Sequence, residues 1–402
     1  MSPRAPRIDK AAEAAAFFEP CRLTLARHLA GIRKIELAHQ VGKSPTVVAA
    51  WESGARQPTP AVIAQLALSL SVDPSFFAAR PSGVVALSGT PHFRSLRSTS
   101  QISREQASAY GQIAADISAS LEQHVEFPTP DVPAHPVAVD NPGSNEPERS
   151  AQCVRKTWGM PDGPCGHLVR VLEHHGVLVC FNPPHVASID AFSFETKLRP
   201  VVVLNAVKGD FYRQRFDVAH ELGHLVMHAD AEPGGRIVED QANRFAAEFL
   251  MPSEQIFDLL PTRMTTAAWT ELAQLKEQWG VSIQALLYRA HWLGRLSPIS
   301  YRNAMSLLSS RGWRRNEPGL VKVTERPSLL PRATELITQA GISEAELIEQ
   351  CRVPEGLFRS IASRSPSNRS PDMTSSRFGS DQSDGRVVSL LDWQEKARHK
   401  TY

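Results

Sequence analysis

The sequence lacks the features that would place it in a membrane or in an oxidising compartment. No apolar run is long enough to span a bilayer, and the N-terminus lacks the basic and then apolar pattern of a signal sequence. The five cysteines are scattered, odd in number and never arranged as C-x-x-C, a pattern typical of reduced cytosolic thiols. We therefore expect a cytoplasmic protein with no membrane partner.

A strong charge imbalance is also missing. The chain has 402 residues and a formal net charge of +2, so its total charge gives no indication of a polyanionic partner. Its hydrophobic content of 42% is enough for globular cores, and its length predicts two or three domains. Because composition and total charge do not indicate a function, the prediction of function rests on local motifs.

The most informative motif is His220-Glu221-Leu222-Gly223-His224, which reads H-E-x-x-H inside an apolar-periodic segment. Helical positions i and i+4 share one face, so His220 and His224 can present two imidazoles to one metal ion. Glu221 projects beside them, where its carboxylate can take a proton from the water that the metal activates. The pentapeptide also arises by chance in buried helices, but the apolar stripe around it favours the active-site helix of a zinc (Zn²⁺) peptidase.

A catalytic zinc usually has a third protein ligand, and four residues are candidates for that position. The metzincin pattern would place the ligand at Asp230, but Met227 stands where that pattern requires glycine. His228 lies one turn beyond the motif and fits better as a supporting or surface histidine. Glu239 and Glu248 belong to the next predicted helix, about 180° apart, so only one of them can face the metal. The residues alone leave this choice open.

Two linked segments resemble the ImmA/IrrE family of bacterial zinc-dependent endopeptidases. They read Phe216-x-x-Ala219-His220-Glu221-x-Gly223-His224 and Glu239-x-x-Ala242-Asn243-x-Phe245-Ala246-x-x-x-Leu250-Met251-Pro252. The resemblance covers roughly residues 150–300. It implies that the two motif histidines and Glu239 bind the metal, with Glu248 as the fallback. It also implies a protein substrate, with a transcription repressor as the candidate, cleaved in response to stress or mobile-element signals.

Residues 22–80 contain a second signature, a series of four short predicted helices. Gly42 separates the second helix from the third, and Ser44 with Pro45 gives a helix cap followed by a permitted first-turn proline. Two short helices joined through a glycine-containing turn are typical of a helix-turn-helix. The stretch Glu36-Leu37-Ala38-x-x-Val41-Gly42-x-Ser44, followed by Trp51-Glu52-Ser53-Gly54-x-Arg56-x-Pro58, resembles XRE-type DNA-binding domains.

The XRE-type resemblance implies two groups of DNA contacts. The base-facing positions are Ser44, Pro45, Thr46 and Ala50, and the phosphate contacts would come from Lys34, Lys43 and Arg56. The third helix lacks arginine, asparagine and glutamine, the side chains that most often read base edges. We therefore expect thymine-methyl contacts or DNA shape to carry more of the specificity. A helix-turn-helix that contacts protein instead of DNA is the alternative.

The whole chain is predicted to be multidomain and mainly α-helical. The expected divisions are an N-terminal tail over 1–21, a helix-turn-helix domain over 22–80, a helical connector with a proline-rich linker over 81–148, an α+β zincin-like domain over 149–300, and a helical C-terminal region with a partly disordered tail over 301–402. The helix predicted at 101–125 either connects the domains or supports a homodimer.

The zincin-like domain is expected to contain a small sheet beside the H-E-x-x-H helix. Strands are predicted at 176–180 and 199–205. An edge strand of such a sheet can hold an extended peptide substrate by main-chain hydrogen bonds. The stretch Asp190-Ala191-Phe192-Ser193, before the second strand, is predicted to line the cleft.

Together the two motifs favour a cytosolic DNA-binding regulator that carries a zinc endopeptidase. In that reading Glu221 takes a proton from the attacking water and passes it to the leaving amine. One alternative is a transcription factor whose zinc domain is a sensor or a structural module without turnover. Another is an antitoxin-like partner protein.

Overall fold

The computed structural model describes residues 9–78, 92–93, 100–140, 143–182, 191–205, 207, 209–229, 234–314, 316–320 and 322–362. In these ranges the chain is mainly α-helical with one small sheet, which confirms the predicted fold class. The predicted disordered tail lies outside the described residues. Over the same ranges the five cysteines are free thiols, and no helix combines the length and apolar character needed to cross a bilayer.

Helices and one 3-10 turn build the N-terminal unit. They are α1 (Lys10–Ala16), α2 (Pro20–Leu29), α3 (Lys34–Gln40), α4 (Pro45–Glu52), α5 (Pro60–Leu70) and the 3-10 turn Pro74–Phe77. Local chemistry sets the boundary between α3 and α4. Gly42 adopts a left-handed conformation (φ 62°) after α3, and the Ser44 hydroxyl accepts a hydrogen bond from the Val47 N–H. The four helices expected within 22–80 are therefore present.

Helix α1 lies in the segment that was expected to be an N-terminal tail. Its Ala14 is fully buried, and the helix packs against α5 and the 3-10 turn. The Asp9 carboxylate caps the first turn by accepting hydrogen bonds from the Ala11 and Ala12 N–H groups. An alanine-rich helix gives little apolar periodicity, which is why the pattern did not reveal it. The folded N-terminal unit begins before residue 22.

Helix α6 (Gln101–Leu121) is the helix expected at 101–125, and most of its length is buried. It packs against α2 on one side and against the sheet on another. Arg22 of α2 donates a 2.9 Å hydrogen bond to Asp116 of α6, and both side chains are almost fully buried. A Cβ added at Gly111 would lie 2.7 Å from the Phe194 ring, so the glycine allows α6 to approach the sheet closely. This burial supports the predicted role of α6 as a connector between the helix-turn-helix unit and the unit that contains the sheet.

The sheet separates two cores. Its strands are β1 (His92–Phe93), β2 (Leu178–Asn182), β3 (Ala191–Phe194) and β4 (Val201–Asn205), in the order β1-β3-β4-β2. β2 and β4 are parallel, whereas β3 runs antiparallel to both β4 and β1. Along β4, Val201 and Val203 face the core that contains α6, while Val202 and Leu204 face the opposite core. β3 forms in the stretch that had been expected only to line the cleft.

The second core belongs to a helical unit that wraps one face of the sheet. Its helices are α7 (Glu146–Thr157), α8 (Leu168–His174), α9 (Phe211–Met227), α10 (Arg236–Leu250), α11 (Ser253–Ile256), α12 (Thr266–Trp279), α13 (Ile283–Trp292) and α14 (Pro298–Ser310), with a 3-10 turn at Phe257–Leu259. α9 carries the H-E-x-x-H motif and packs against α10 and the sheet. A Cβ at Gly223 would lie 3.0 Å from the Phe245 ring, so this glycine allows α9 and α10 to approach closely.

The C-terminal helices repeat the spacing of α2, α3 and α4. They are α15 (Leu329–Gln339), α16 (Glu344–Cys351) and α17 (Glu355–Ala362), and they pack against α6. At the start of α3 the Arg33 N–H donates to Glu36 (2.7 Å), and at the start of α16 the Ser343 N–H donates to Glu346 (2.8 Å). Arg352 then adopts the left-handed conformation (φ 50°) at the place that Gly42 takes after α3. The charge differs: 20–52 holds five Lys/Arg and two Glu, whereas 329–362 holds three Arg and five Glu.

Candidate metal centre and DNA-binding face

His220 and His224 lie one turn apart on α9 and direct their Nε2 atoms to one point. These two atoms are 3.0 Å apart. Glu239, in the first turn of α10, places one carboxylate oxygen 3.4 Å from His220 Nε2 and the other 3.7 Å from His224 Nε2. Ligand atoms from the three residues lie within 4.8 Å of one another. Two imidazoles and a carboxylate are a donor set that zinc takes.

Burial at this cluster fits a bound cation. His220 is 0% and His224 1% exposed, and Glu239 Oε1 is a buried oxygen that accepts no hydrogen bond from the described residues. A buried carboxylate oxygen without a donor is unfavourable unless a positive charge lies beside it. The residues therefore fit a divalent metal that takes nitrogen and oxygen ligands.

Asn243 sets the orientation of His220. Its Oδ1 atom lies 3.1 Å from His220 Nδ1. Because an amide oxygen can only accept, His220 Nδ1 carries the proton and donates it, and the lone pair is left on Nε2. Asn243 lies four residues after Glu239, so one face of α10 provides both a candidate ligand and the group that orients another.

A chain of hydrogen bonds sets the orientation of His224. Its Nδ1 lies 3.1 Å from His228 Nδ1, and His228 Nε2 lies 2.9 Å from Gln241 Oε1. The Gln241 amide nitrogen donates to the Ala138 carbonyl (2.9 Å), which fixes Oε1 as the end that faces His228. His228 therefore donates from Nε2 and accepts at Nδ1, so the proton on His224 lies on Nδ1 and its Nε2 lone pair faces the cluster. His228 supports the site from behind rather than joining the candidate ligands.

Glu221 lies on the same helix, fully buried between the cluster and the sheet. The Ser193 hydroxyl of β3 donates a 2.7 Å hydrogen bond to Glu221 Oε2 and a longer one, 3.3 Å, to the Glu221 carbonyl oxygen. A hydroxyl that donates to the carboxylate fixes its direction. The helix that carries the two histidines thus also holds a carboxylate of defined orientation.

Glu248 is not brought to the histidines. It is 1% exposed and forms a buried ion pair with Arg289 of α13. Gln152 and Ser253 donate further hydrogen bonds to its Oε1 atom, at 2.9 and 3.1 Å. All of these contacts lie away from the cluster, so Glu248 is a structural carboxylate. Asp230, the metzincin alternative, lies outside the described residues.

Most of the predicted DNA contacts lie in or directly before the first turn of α4, while Ala50 lies near its end and Arg56 follows it. Ser44, Pro45, Thr46, Lys43 and Arg56 are exposed, and Ala50 is half-buried. Val48 and Trp51 are buried beneath them and fix α4 on the domain core. This is the disposition that a helix entering a groove requires.

Within the part of the chain that the structure describes, Lys34 has an ion-pair partner, whereas Lys43 and Arg56 do not. Its Nζ lies 3.0 Å from Glu52, whose other carboxylate oxygen accepts a 2.6 Å hydrogen bond from Arg27. The lysine side chain is 49% exposed, whereas that of Glu52 is 5% exposed. Part of the Lys34 charge is therefore already balanced within the domain.

Comparison with known families finds matches for two regions of the chain. Residues 172–291 match the Peptidase M78 family model, described as the IrrE N-terminal-like domain, and residues 23–77 match a helix-turn-helix family model. The chain therefore combines a region similar to helix-turn-helix domains with a region similar to the IrrE N-terminal-like domain. No curated protein sequence matches the chain.

These matches agree with the geometry. The M78 match includes α9 and α10, and with them the cluster of His220, His224 and Glu239. The helix-turn-helix match includes α3 and α4. The M78 match suggests a metallopeptidase-type domain with a protein substrate, and the helix-turn-helix match implies DNA binding.

Proposed function

We propose that the chain is a cytosolic DNA-binding regulator whose IrrE-type domain is a zinc-dependent endopeptidase. The observation that carries this proposal is the Glu221 carboxylate, held by Ser193 beside a buried group of two histidines and a glutamate. The match to a peptidase family supports a protein substrate. The ImmA/IrrE resemblance supports a transcription repressor as that substrate, cleaved in a stress or mobile-element response.

His220, His224 and Glu239 would hold the zinc ion, through the two Nε2 atoms and the carboxylate. When bound, zinc supplies Lewis acidity, which polarises a peptide carbonyl and makes water a better nucleophile. Asn243 and His228 keep the imidazoles in the tautomer that this requires.

Glu221 carries the proton transfers. Its carboxylate accepts a proton from the attacking water and later donates it to the leaving amine as the peptide bond breaks. Ser193 holds the carboxylate in place during both steps, because its hydroxyl donates to the Oε2 atom. Full burial of Glu221 limits the access of bulk water to the transferred proton.

The DNA contacts in this proposal follow the exposed face of α4. Lys43 and Arg56 would bind phosphates together with Lys34, and Ser44, Pro45, Thr46 and Ala50 would face the bases. Three of these four base-facing residues are exposed and the fourth is half-buried, which supports the assignment. We keep the divisions 22–80 and 149–300 as proposed domain limits, with α1 added to the first.

The Glu221→Gln variant tests the enzymatic part of the proposal. Glutamine keeps the shape of the side chain but cannot take a proton, so cleavage should fall by about 10²- to 10⁴-fold while zinc binding is kept. The measurement is mass-spectrometric quantification of new protein N-termini in cells that express either form. Equal sets of new N-termini in both would contradict the mechanism.

Glu221→Gln and His220→Ala together distinguish the peptidase from a zinc domain without turnover. If Glu221→Gln leaves gene regulation unchanged while His220→Ala destroys it, the zinc domain is a sensor or a structural module. An antitoxin-like function would be recognised by co-purification of a small toxin with the chain.

A further inference from the structure

The segment between the two domains adds a strand to the sheet of the peptidase-family domain. β1, His92–Phe93, pairs antiparallel with β3, and the paired residues are His92 with Ser193 and Phe93 with Phe192. In the order β1-β3-β4-β2, β1 is the terminal strand on the β3 side. A segment outside the family match therefore completes the sheet next to the candidate active site.

β3 is the strand that touches the proposed base. Ser193 donates to Glu221 at 2.7 Å, and Ser193 is also the residue opposite His92. Adjacent strands lie about 4.8 Å apart. The backbone of β1 therefore passes within one strand spacing of the residue that holds Glu221.

An extended peptide can bind a sheet edge through main-chain hydrogen bonds, and one edge accepts one strand at a time. A scissile peptide that paired with this edge of β3 would lie one strand spacing from Ser193, which donates to Glu221. In the structure β1 pairs with that edge.

We propose that the His92–Phe93 strand occupies the substrate-binding edge of β3 and keeps the peptidase inhibited until it is displaced. The proposal rests on the proposed function, because it assigns the regulation of the same site. A strand of two residues offers few ladder hydrogen bonds, so a longer peptide of suitable sequence can replace it. β1 follows the helix-turn-helix domain in the chain and precedes α6. A change in the helix-turn-helix domain could therefore move β1 and alter the access of a substrate to the peptidase site.

Two proline variants of the full chain test whether β1 occupies the edge of β3. In an antiparallel ladder alternate residues direct their N–H groups to the partner strand. One of His92→Pro and Phe93→Pro therefore removes a ladder hydrogen bond with β3, while the other removes an N–H that points away and serves as the matched control. The probe is a fluorescein-labelled synthetic peptide that copies residues 89–97, added to each protein and followed by fluorescence anisotropy.

One variant should bind the labelled peptide at least about tenfold more tightly than the wild type, because the internal strand no longer competes for the edge. In the same variant, whichever of Phe192 and Ser193 directs its N–H to β1 should show faster amide hydrogen exchange, while the other, which faces β4, should not. The other variant should behave like the wild type in both measurements. Wild-type peptide binding and wild-type exchange in both variants would overturn the proposal.

Cleavage of β-casein, an unfolded protein, by the zinc-loaded chains tests the inhibition. The variant with the released edge should cleave it about tenfold faster than the wild type, and adding Glu221→Gln to that variant should abolish the cleavage. Equal cleavage by the wild type and the released variant overturns the inhibition. So does zinc-dependent cutting of the wild-type chain at residues 92–93, because the strand would then be a substrate. Peptide binding without cleavage by any protein overturns the peptidase function and supports the occupancy of the edge.

Discussion

The candidate metal centre and the predicted DNA-binding face show opposite ways of building a site. At the candidate metal centre the two histidines and Glu221 are buried, and Asn243, His228 and Ser193 each orient one of them. On the face of α4 the predicted contacts are mostly exposed and their geometry is completed only when DNA is bound. Chemistry at a metal requires fixed geometry in the free protein, whereas phosphate binding requires mainly accessible charge.

This contrast predicts different responses to substitution. A change at the metal centre should remove a function or unfold the chain, because a buried group that loses its partner has no solvent to replace it. A change on the face of α4 should alter DNA affinity by a graded amount.

Substitution of the two glutamates of α10, Glu239 and Glu248, should have different effects on zinc binding and on stability. Glu239→Ala removes a candidate ligand from a half-buried position, so the protein should lose its zinc and keep its fold. Glu248→Ala leaves the Arg289 guanidinium buried without its partner, which should lower the free energy of unfolding by about 3–5 kcal/mol. Zinc content by elemental analysis and thermal unfolding of the metal-free proteins measure the two effects.

Each glutamate variant is the control for the other. Zinc content unchanged in Glu239→Ala but lost in a folded Glu248→Ala would reverse the assignment. The thermal measurement on metal-free protein keeps the loss of an ion pair separate from the loss of metal-linked stability.

Asn243→Ala should weaken zinc binding about 10- to 100-fold. The alanine leaves His220 Nδ1 without its acceptor, so the imidazole is free to take the other tautomer or to rotate. Competition with a chromophoric zinc chelator measures the affinity. Asp240→Ala, on the exposed side of the same helix, is the control and should bind zinc like the wild type. An unchanged affinity in Asn243→Ala would contradict the orienting role.

The sequence allowed prediction of the parts of the metal site that depend on local helix geometry. His220, Glu221 and His224 follow from their spacing, and the ImmA/IrrE resemblance pointed to Glu239, which the structure places beside the histidines. Asn243 could also have been predicted from the sequence, because it lies one helical turn after Glu239 on the same face of α10.

Contacts between distant segments could not be predicted in the same way. Ser193 meets Glu221 only because β3 forms with one particular register, and strand pairing is not encoded in a local pattern. The structural role of Glu248 depends on Arg289, 41 residues later in the chain. The strand His92–Phe93 is too short to give any alternation signal.

On the DNA-binding face, Lys43→Ala should weaken binding to duplex DNA of any sequence. Loss of one phosphate contact should lower the slope of log affinity against log salt concentration by about 1. Fluorescence anisotropy with a random-sequence duplex, over a series of salt concentrations, measures the slope. Arg332→Ala, an exposed arginine of the similar but more acidic C-terminal helices, is the control and should leave the slope unchanged. Equal losses in both variants would mean that DNA binds by overall charge rather than through α4.

Lys34→Ala should give the smallest change of the series. Lys34 already shares its charge with Glu52, whereas Lys43 is exposed beside α4, so fewer counterions should be released when DNA binds at Lys34. We expect its salt slope to fall by clearly less than the value for Lys43→Ala in the same assay. Lys34→Ala also leaves Glu52 paired with Arg27, so the domain should unfold at a temperature close to that of the wild type. A fall equal to that of Lys43→Ala would show that the Lys34–Glu52 pair opens on DNA, and the fixed geometry of the free domain would then matter less than its charge.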